Sequence, residues 1–246
     1  MIPEVTFAGR QMRGGRENQE DSYGFCLVEN GGDPILLLAL ADGMGGHERG
    51  EVASEIAVSS FIQSLDLQAP NVRRALIDAV LEANSRIGAE NERRGGLPDE
   101  MGTTMVGVYV RAGQLQWVSV GDSPLFLFRS GTLRRLNEEH VSAPIESPGG
   151  GPRKPPMLIS ALTGGEIHRM DAPVHPSVLQ PGDIVICASD GINSIELKRI
   201  AAKLEIQADL PAAALAESLV AAVDAERKSR QDNLTIAIVK YSPSLA

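Results

Sequence analysis

PILLLALADGMGGH, residues 34–47, is an apolar run that stops at a carboxylate and then gives way to glycine. The unbroken stretch at residues 35–41 falls far short of the ~20 residues that a membrane-spanning helix needs. Flanked by turn residues, residues 34–41 are expected to form a strand. Upstream, residues 22–29 (SYGFCLVE) have the same character. The intervening Asn30-Gly31-Gly32-Asp33 is a hairpin signal, so the two runs are expected to pair antiparallel.

Working outward, residues 5–9 read as a short edge strand. Downstream, Val52, Ala53, Ile56, Ala57, Ser60 and Phe61 recur at helical spacing, as do Leu76, Val80, Leu81 and Ile87, predicting helices over 48–65 and 71–91. Pro70 precedes the second helix and Gly95-Gly96 follows it. Residues 103–111, 115–120 and 125–129, punctuated by Ala112-Gly113 and Ser130-Gly131, predict three consecutive antiparallel strands. A long irregular stretch, roughly 137–163, contains SPGGGPRKPP; a loop of that length within a compact domain is usually functional. Residues 183–188 read as a strand, 201–204 and 212–226 as helical, and 234–241 as a final buried strand. No internal repeat or linker divides the chain, so one domain over 1–246 is expected. Short turns rather than helical crossovers join most strands. This favours antiparallel sheets with helices packed outside them, an α+β fold.

The chain has 246 residues, 43% of them hydrophobic and 22% charged, with a formal net charge of -9. Phosphate-backbone binding needs a basic face, so nucleic acid is not the expected partner. The same field repels phosphorylated substrates unless metals or arginines reverse it locally. The two cysteines, Cys26 and Cys187, lie in strand-like runs and read as buried free thiols of a reducing compartment. The N-terminal MIPEVTFAGRQMRGG lacks the apolar core of a signal peptide. These features predict a soluble, cytoplasmic protein that does not enter membranes.

Aspartate is a poor strand residue, yet Asp42, Asp122, Asp190 and Asp232 each end or begin an apolar run beside Gly, Ser or Asn. A fifth acidic pair, Glu20-Asp21, opens the run SYGFCLV. One such aspartate is ordinary turn chemistry. Several together predict carboxylates gathered at one sheet edge, an oxygen-only donor set suited to Mg²⁺ or Mn²⁺ and hence to a metal-dependent hydrolase. Gly43 lets the backbone come close enough for its carbonyl to serve as a ligand.

In order, RENQED (16–21), ADGMGGH (41–47), GTT (102–104), VGDS (120–123), ASDG (188–191) and QDNLT (231–235) resemble the motifs of the metal-dependent protein phosphatases of the type 2C family, particularly compact bacterial members. The resemblance runs almost the whole length of the chain. It implies a four-layer α-β-β-α sandwich, with two central antiparallel sheets flanked by helix pairs. It also implies a binuclear Mn²⁺/Mg²⁺ centre and hydrolysis of phosphoserine or phosphothreonine. By position, Asp42 resembles the bridging ligand, Gly43 the carbonyl ligand, and Asp190 and Asp232 the other carboxylates of the first metal. Glu20 and Asp21 match the acidic pair near the second metal, and Asp122 with Asp190 the pair that holds a third, weaker one. Arg16 matches the arginine that grips the substrate phosphate; its planar fork suits two phosphate oxygens. Two ions about 3.5–4 Å apart can share a water and lower its pKa towards neutrality, and the hydroxide attacks phosphorus in line. Neither a serine nor a cysteine nucleophile is required.

Departures from the family pattern bear on detail. Met44 stands where eukaryotic relatives often carry a histidine proposed as a general acid, and it has no proton to donate. His47 reads as structural. His140, in NEEHVSAP, resembles a histidine that precedes the family's flap and helps position it. Pro124 replaces the arginine that usually follows GDS. Residues 141–163, within a flap segment at about 137–165, are expected to tune substrate choice, with Arg153 and Lys154 available to a phosphopeptide. The expected partners are phosphorylated proteins and a Hanks-type kinase whose action the chain reverses, with the chain itself a monomer. Two alternatives stand beside this: a phosphatase acting on anti-anti-sigma proteins in a stress response, and a pseudophosphatase that binds phosphoproteins without turnover.

Overall fold

A computed structural model describes residues 4–29, 32–45, 49–95, 101–143 and 156–242. In chain order the elements are β1 (Glu4–Met12), β2 (Asp21–Val28), β3 (Ile35–Met44), α1 (Arg49–Ser64), α2 (Val72–Arg93), β4 (Gly102–Thr103), β5 (Met105–Arg111), β6 (Gln114–Val120), β7 (Leu125–Arg129), β8 (Thr132–Arg135), β9 (Ser177–Val178), β10 (Asp183–Ala188), a 3₁₀ turn (Asp190–Ser194), α3 (Leu197–Ile206), α4 (Ala212–Asp224) and β11 (Leu234–Ser242). Two antiparallel sheets result. One runs β1-β11-β10-β7-β8; the other runs β2-β3-β5-β6-β9, with β4 also on β3.

The unbroken apolar run of β3 follows from burial on both faces. Leu36, Leu38 and Leu40 point inward and meet Leu125, Val185, Cys187 and Val239 of the other sheet. The alternate residues Leu37, Ala39 and Ala41 point outward onto Ala53, Ala57 and Phe61 of α1 and Leu76, Val80 and Ile87 of α2. On the far side, α3 and α4 cover Ile186, Ala188, Ile236 and Ile238 through Ile200, Leu204, Leu215 and Leu219. Strand periodicity thus feeds two cores from one run, and the layers stack as α-β-β-α, as the resemblance implied. One close approach requires glycine: a Cβ on Gly107 of β5 would lie 2.3 Å from the Phe61 ring.

The expected hairpin of residues 22–29 with 34–41 forms in register from Asp21↔Asp42 to Val28↔Ile35; its turn residues Asn30 and Gly31 lie outside the described residues. Helices α1, α2 and α4 sit within a few residues of their expected bounds. Asn71 caps α2 by accepting from the Arg74 N–H at 3.0 Å. The helix α3 is longer than the four residues its pattern suggested.

One expectation fails. β5 and β6 pair, but β7 does not continue their sheet; it pairs with β10 and β8 in the other. Gly121, at φ +104°, redirects the chain after β6. The Leu125 N–H then donates to Asn137 Oδ1 (2.8 Å), and Asn137 Nδ2 donates to the Ser123 carbonyl (2.9 Å). The crossover carries Gly121-Asp122-Ser123 between the sheets, where one acidic side chain meets the others.

Candidate metal centre and active site

The strands bring the carboxylates together at one end of the sandwich. Register places Asp21 of β2 opposite Asp42 of β3. Asp190 opens the 3₁₀ turn just after β10, and Asp232 lies just before β11, the neighbouring antiparallel strand. Glu20, Asp42, Gly43, Asp122, Asp190, Asp232 and Arg16 line a single cleft of about 310 Å³, with Met44 and Thr104 also on its wall. A larger cleft of about 640 Å³ beside β2 and α1 shares only Asp21 with this acidic set. Convergence of chemistry, rather than volume, selects the smaller one.

Asp42 is not at the end of its strand as its sequence context suggested. β3 runs two residues further because Gly43 and Met44 pair with Thr103 and Gly102. The GTT motif holds it there. The Asp42 N–H donates to Thr104 Oγ1 (3.0 Å), while the Thr104 N–H and Thr103 Oγ1 both donate to the Asp42 carbonyl (2.9 Å each). Thr104 Oγ1 in turn meets Ser123 Oγ at 2.7 Å, tying this strand to the GDS turn. Gly43 is required by space: a Cβ would lie 2.1 Å from the Gly50 carbonyl oxygen and 2.4 Å from that of Glu20.

Asp21 lies behind the cleft rather than on its wall. It is 4% exposed, and its Oδ2 accepts from Ser189 Oγ (2.7 Å) and Thr235 Oγ1 (2.8 Å). Its Oδ1 is buried with no hydrogen-bond partner among the described residues, an arrangement that ordinarily demands explanation. Arg16 Nη2 donates to Asp232 Oδ2 at 2.6 Å, so the expected phosphate clamp here rests on an expected metal ligand.

Several structural roles escaped the sequence reading. Asn233 Oδ1 accepts from the Glu20 N–H (2.8 Å), and its Nδ2 donates to the carbonyls of Arg13 (2.8 Å) and Asn18 (2.9 Å). One amide therefore shapes the loop that carries Arg16 and Glu20. Ser189 and Thr235 were visible only as members of ASDG and QDNLT; nothing local marked them as the hydroxyls that seat Asp21. His140 is fully buried, accepts from the Gly121 N–H at Nδ1 (3.0 Å) and sets Nε2 3.3 Å from Asp171 Oδ1. It anchors the turn that carries Asp122. His47, Arg153 and Lys154 lie outside the described residues.

The electrostatics are those of crowded anions. Burial, then the charges of Asp21, Asp190, Asp122 and Asp232, hold the Asp42 carboxyl well above the ordinary carboxylate range. Burial and then Asp232, Asp122 and Asp21 push Asp190 to about 7, and burial raises Asp21 to about 6. Burial likewise raises Asp122 and Glu20. Among the described residues that line the cleft, Arg16 is the single cation. Divalent cations relieve such crowding, and the donor set is all oxygen. These residues therefore fit hard divalent ions. Among the described residues, no three Asp, Glu, His or Cys side chains close on one point. A set spread along a cleft suits ions that retain several waters.

A helix-flanked double sheet with a carboxylate-lined cleft at its rim defines the sandwich phosphatases that use divalent metals. Residues 8–235 match the family model described as protein phosphatase 2C, and the chain belongs to that family. It is 32% identical over 200 residues to the serine/threonine protein phosphatase PstP of Mycobacterium tuberculosis, covering 77% of this chain and 36% of that protein. It is 27% identical over 244 residues to the protein phosphatase PhpP of Streptococcus pneumoniae, covering 92% and 93%. The crystal structure of the PstP catalytic domain in complex with two manganese ions superposes with a TM-score of 0.75 at 29% identity, covering 97% of this chain and 98% of that one. The chain thus spans about a third of full-length PstP, and 58% of the phosphatase stp of Listeria welshimeri.

Proposed function

We propose that this chain is a metal-dependent serine/threonine protein phosphatase, folded as one catalytic domain, that hydrolyses phosphoserine and phosphothreonine in proteins phosphorylated by a Hanks-type kinase. The observation that carries this is the convergence of Asp42, Asp122, Asp190, Asp232 and Arg16 on one cleft, in a fold whose relative PstP was solved with two manganese ions. Asp42 and the Gly43 carbonyl, with Asp190 and Asp232, are the groups that would hold the ions, Glu20 and Asp21 acting at the second and Asp122 at a third. When bound, Mn²⁺ or Mg²⁺ supplies a water of lowered pKa and neutralises phosphate charge.

The chain's own residues do the rest. Arg16 swings from Asp232 to the phosphate, where its fork binds two oxygens. Asp21, seated by Ser189 and Thr235, fixes the start of β2 against Asp42. Thr103 and Thr104 keep the Asp42 carboxylate aimed at the cleft by pinning its backbone. Met44 on the cleft wall offers no proton, so the leaving alkoxide takes its proton from solvent. Among the described residues no helix is long and apolar enough to cross a membrane.

Hydrolysis of p-nitrophenyl phosphate and a phosphothreonine peptide in Mn²⁺, Mg²⁺ or EDTA, by the wild type and Asp42→Asn, tests this reading. Metal-dependent turnover lost in EDTA and reduced at least a thousandfold by Asp42→Asn is expected, the order reached when a group essential to the reaction centre is removed. Folded, metal-loaded protein that binds the phosphopeptide without turning it over would replace the enzyme with a phosphoprotein-binding module.

A further inference from the structure

Leu158 stands on the wall between two clefts. One is the acidic cleft; the other, of about 430 Å³, is lined by Met44, Ile159, Ala161 and Thr163, with the exposed Glu166 and His168. Met44 borders both. Residues 157–159 run extended beside residues 140–142. The Ser142 N–H donates to the Met157 carbonyl (2.8 Å) and the Ile159 N–H to the His140 carbonyl (2.9 Å), with Val141 and Leu158 facing each other between them. In an antiparallel ladder, a pair flanked by such bonds turns its own N–H and C=O groups to the outer edges. The Leu158 N–H and C=O therefore point away from residues 140–142. They have no hydrogen-bond partner among the described residues.

Backbone groups without a protein partner are normally met by water or a ligand. Here Leu158 lines the acidic cleft that a phosphorylated side chain must enter. A donor and an acceptor left open among the described residues on an extended segment are what strand addition uses: main-chain bonds hold the peptide and alternate side chains drop into pockets. The neighbouring cleft offers such a pocket, with Met44, Ile159 and Ala161 on its walls.

We propose that the residues flanking the phosphoserine or phosphothreonine bind extended along Leu158, exchanging two backbone hydrogen bonds with it, and that an adjacent apolar side chain fills the cleft beside Met44, Ile159 and Ala161. This rests on the phosphatase reading above. It makes the substrate an unfolded or loop segment presented as a strand, selected by backbone conformation as well as by phosphate.

The test uses the metal-loaded wild type and a phosphothreonine peptide set carrying one N-methyl group at each position within two residues of the phosphothreonine. p-Nitrophenyl phosphate, which has no backbone, is the reference. Removing one main-chain bond is expected to lower kcat/KM about five- to tenfold at a single position, the other positions staying within about twofold. Leu158→Pro deletes the other of the two bonds, the one its own N–H donates to a peptide carbonyl. Its N–H has no partner to lose among the described residues, and proline is tolerated on strand edges. That variant is expected to lose about fivefold more activity on the peptide than on p-nitrophenyl phosphate, and still to be slowed by the N-methyl group that hurts the wild type, because proline keeps the carbonyl that accepts the second bond. Turnover indifferent to every N-methyl position, or equal losses on both substrates in Leu158→Pro, overturns the inference while leaving the phosphatase intact. Failure to turn over either substrate overturns both.

Discussion

Replacing Asp190 by Asn is expected to make the metal-free protein more stable, although it removes a proposed metal ligand. In the folded chain burial and neighbouring carboxylates hold Asp190 at about 7, against an ordinary value of 3.8. A group whose folded pKa is raised binds its proton more tightly folded than unfolded. Between pH 4 and 7 the folded state therefore carries the extra proton, and stability falls as pH rises through that window. Above it, the ionised carboxylate costs about 4 kcal/mol, at about 1.36 kcal/mol per pH unit. An amide carries no charge, and the Asp190 side chain makes no hydrogen bond within the described residues that the amide would forfeit. Because an amide still resists burial, about half of that figure, about 2 kcal/mol, is the expected gain. In a chain of this length that raises Tm by about 4–8 °C. Calorimetry at pH 8 in EDTA measures it; at pH 5, where Asp190 is already protonated, the difference between the two proteins should shrink towards zero. Saturating Mn²⁺ should reverse the ranking, since an ion at a hundred times its Kd stabilises by about 2.7 kcal/mol and the variant binds it less well. Equal or lower Tm for Asp190→Asn in EDTA at pH 8, or a gain of the same size at pH 5, would refute the reasoning.

Arg16→Ala breaks an ion pair whose side chains are 55% and 38% exposed. Such pairs contribute about 1 kcal/mol or less, so Tm should hardly change, while kcat/KM for phosphopeptides drops about 10- to 100-fold through lost charged hydrogen bonds. Asp183 is a contrast, being 1% exposed and accepting two bonds from Arg129 (2.8 and 2.5 Å) and one from the Gln180 N–H (2.7 Å). Asp183→Ala leaves these donors unpaired and should cost about 3–5 kcal/mol in urea unfolding, with kcat of the folded fraction unchanged because the site is remote. Gly107→Ala drives a methyl against the Phe61 ring and should destabilise by about 1–3 kcal/mol; adding Phe61→Leu should restore part of that loss by making room.

Much of the fold was legible because its signals are local. The helical stripes of α1 and α2 and the hairpin of β2 with β3 depend on residues within a few positions of one another. The acidic set was legible for a related reason: Asp beside Gly, Ser or Asn at the mouth of an apolar run is unusual enough that repetition carries meaning. β7 was misplaced because a strand's apolar residues do not name the sheet it joins; that choice was made by Gly121 and by Asn137, twelve residues beyond Leu125. Asn233 was quoted within its motif yet its work was hidden, since its partners at residues 13, 18 and 20 are more than two hundred positions away.

From sequence alone follow the antiparallel strands with helices outside them, a chain of net charge -9, and hard oxygen donors at strand mouths. These rest on periodicity, turn chemistry and donor type, which are properties of short segments. Tertiary structure alone decided that Asp42 lies within its strand, that Asp21 sits behind the cleft on Ser189 and Thr235, that Arg16 reaches Asp232, and that Leu158 turns its peptide groups away from residues 140–142 beside the acidic cleft. Each of these depends on pairing or packing between segments that the sequence does not bring together locally.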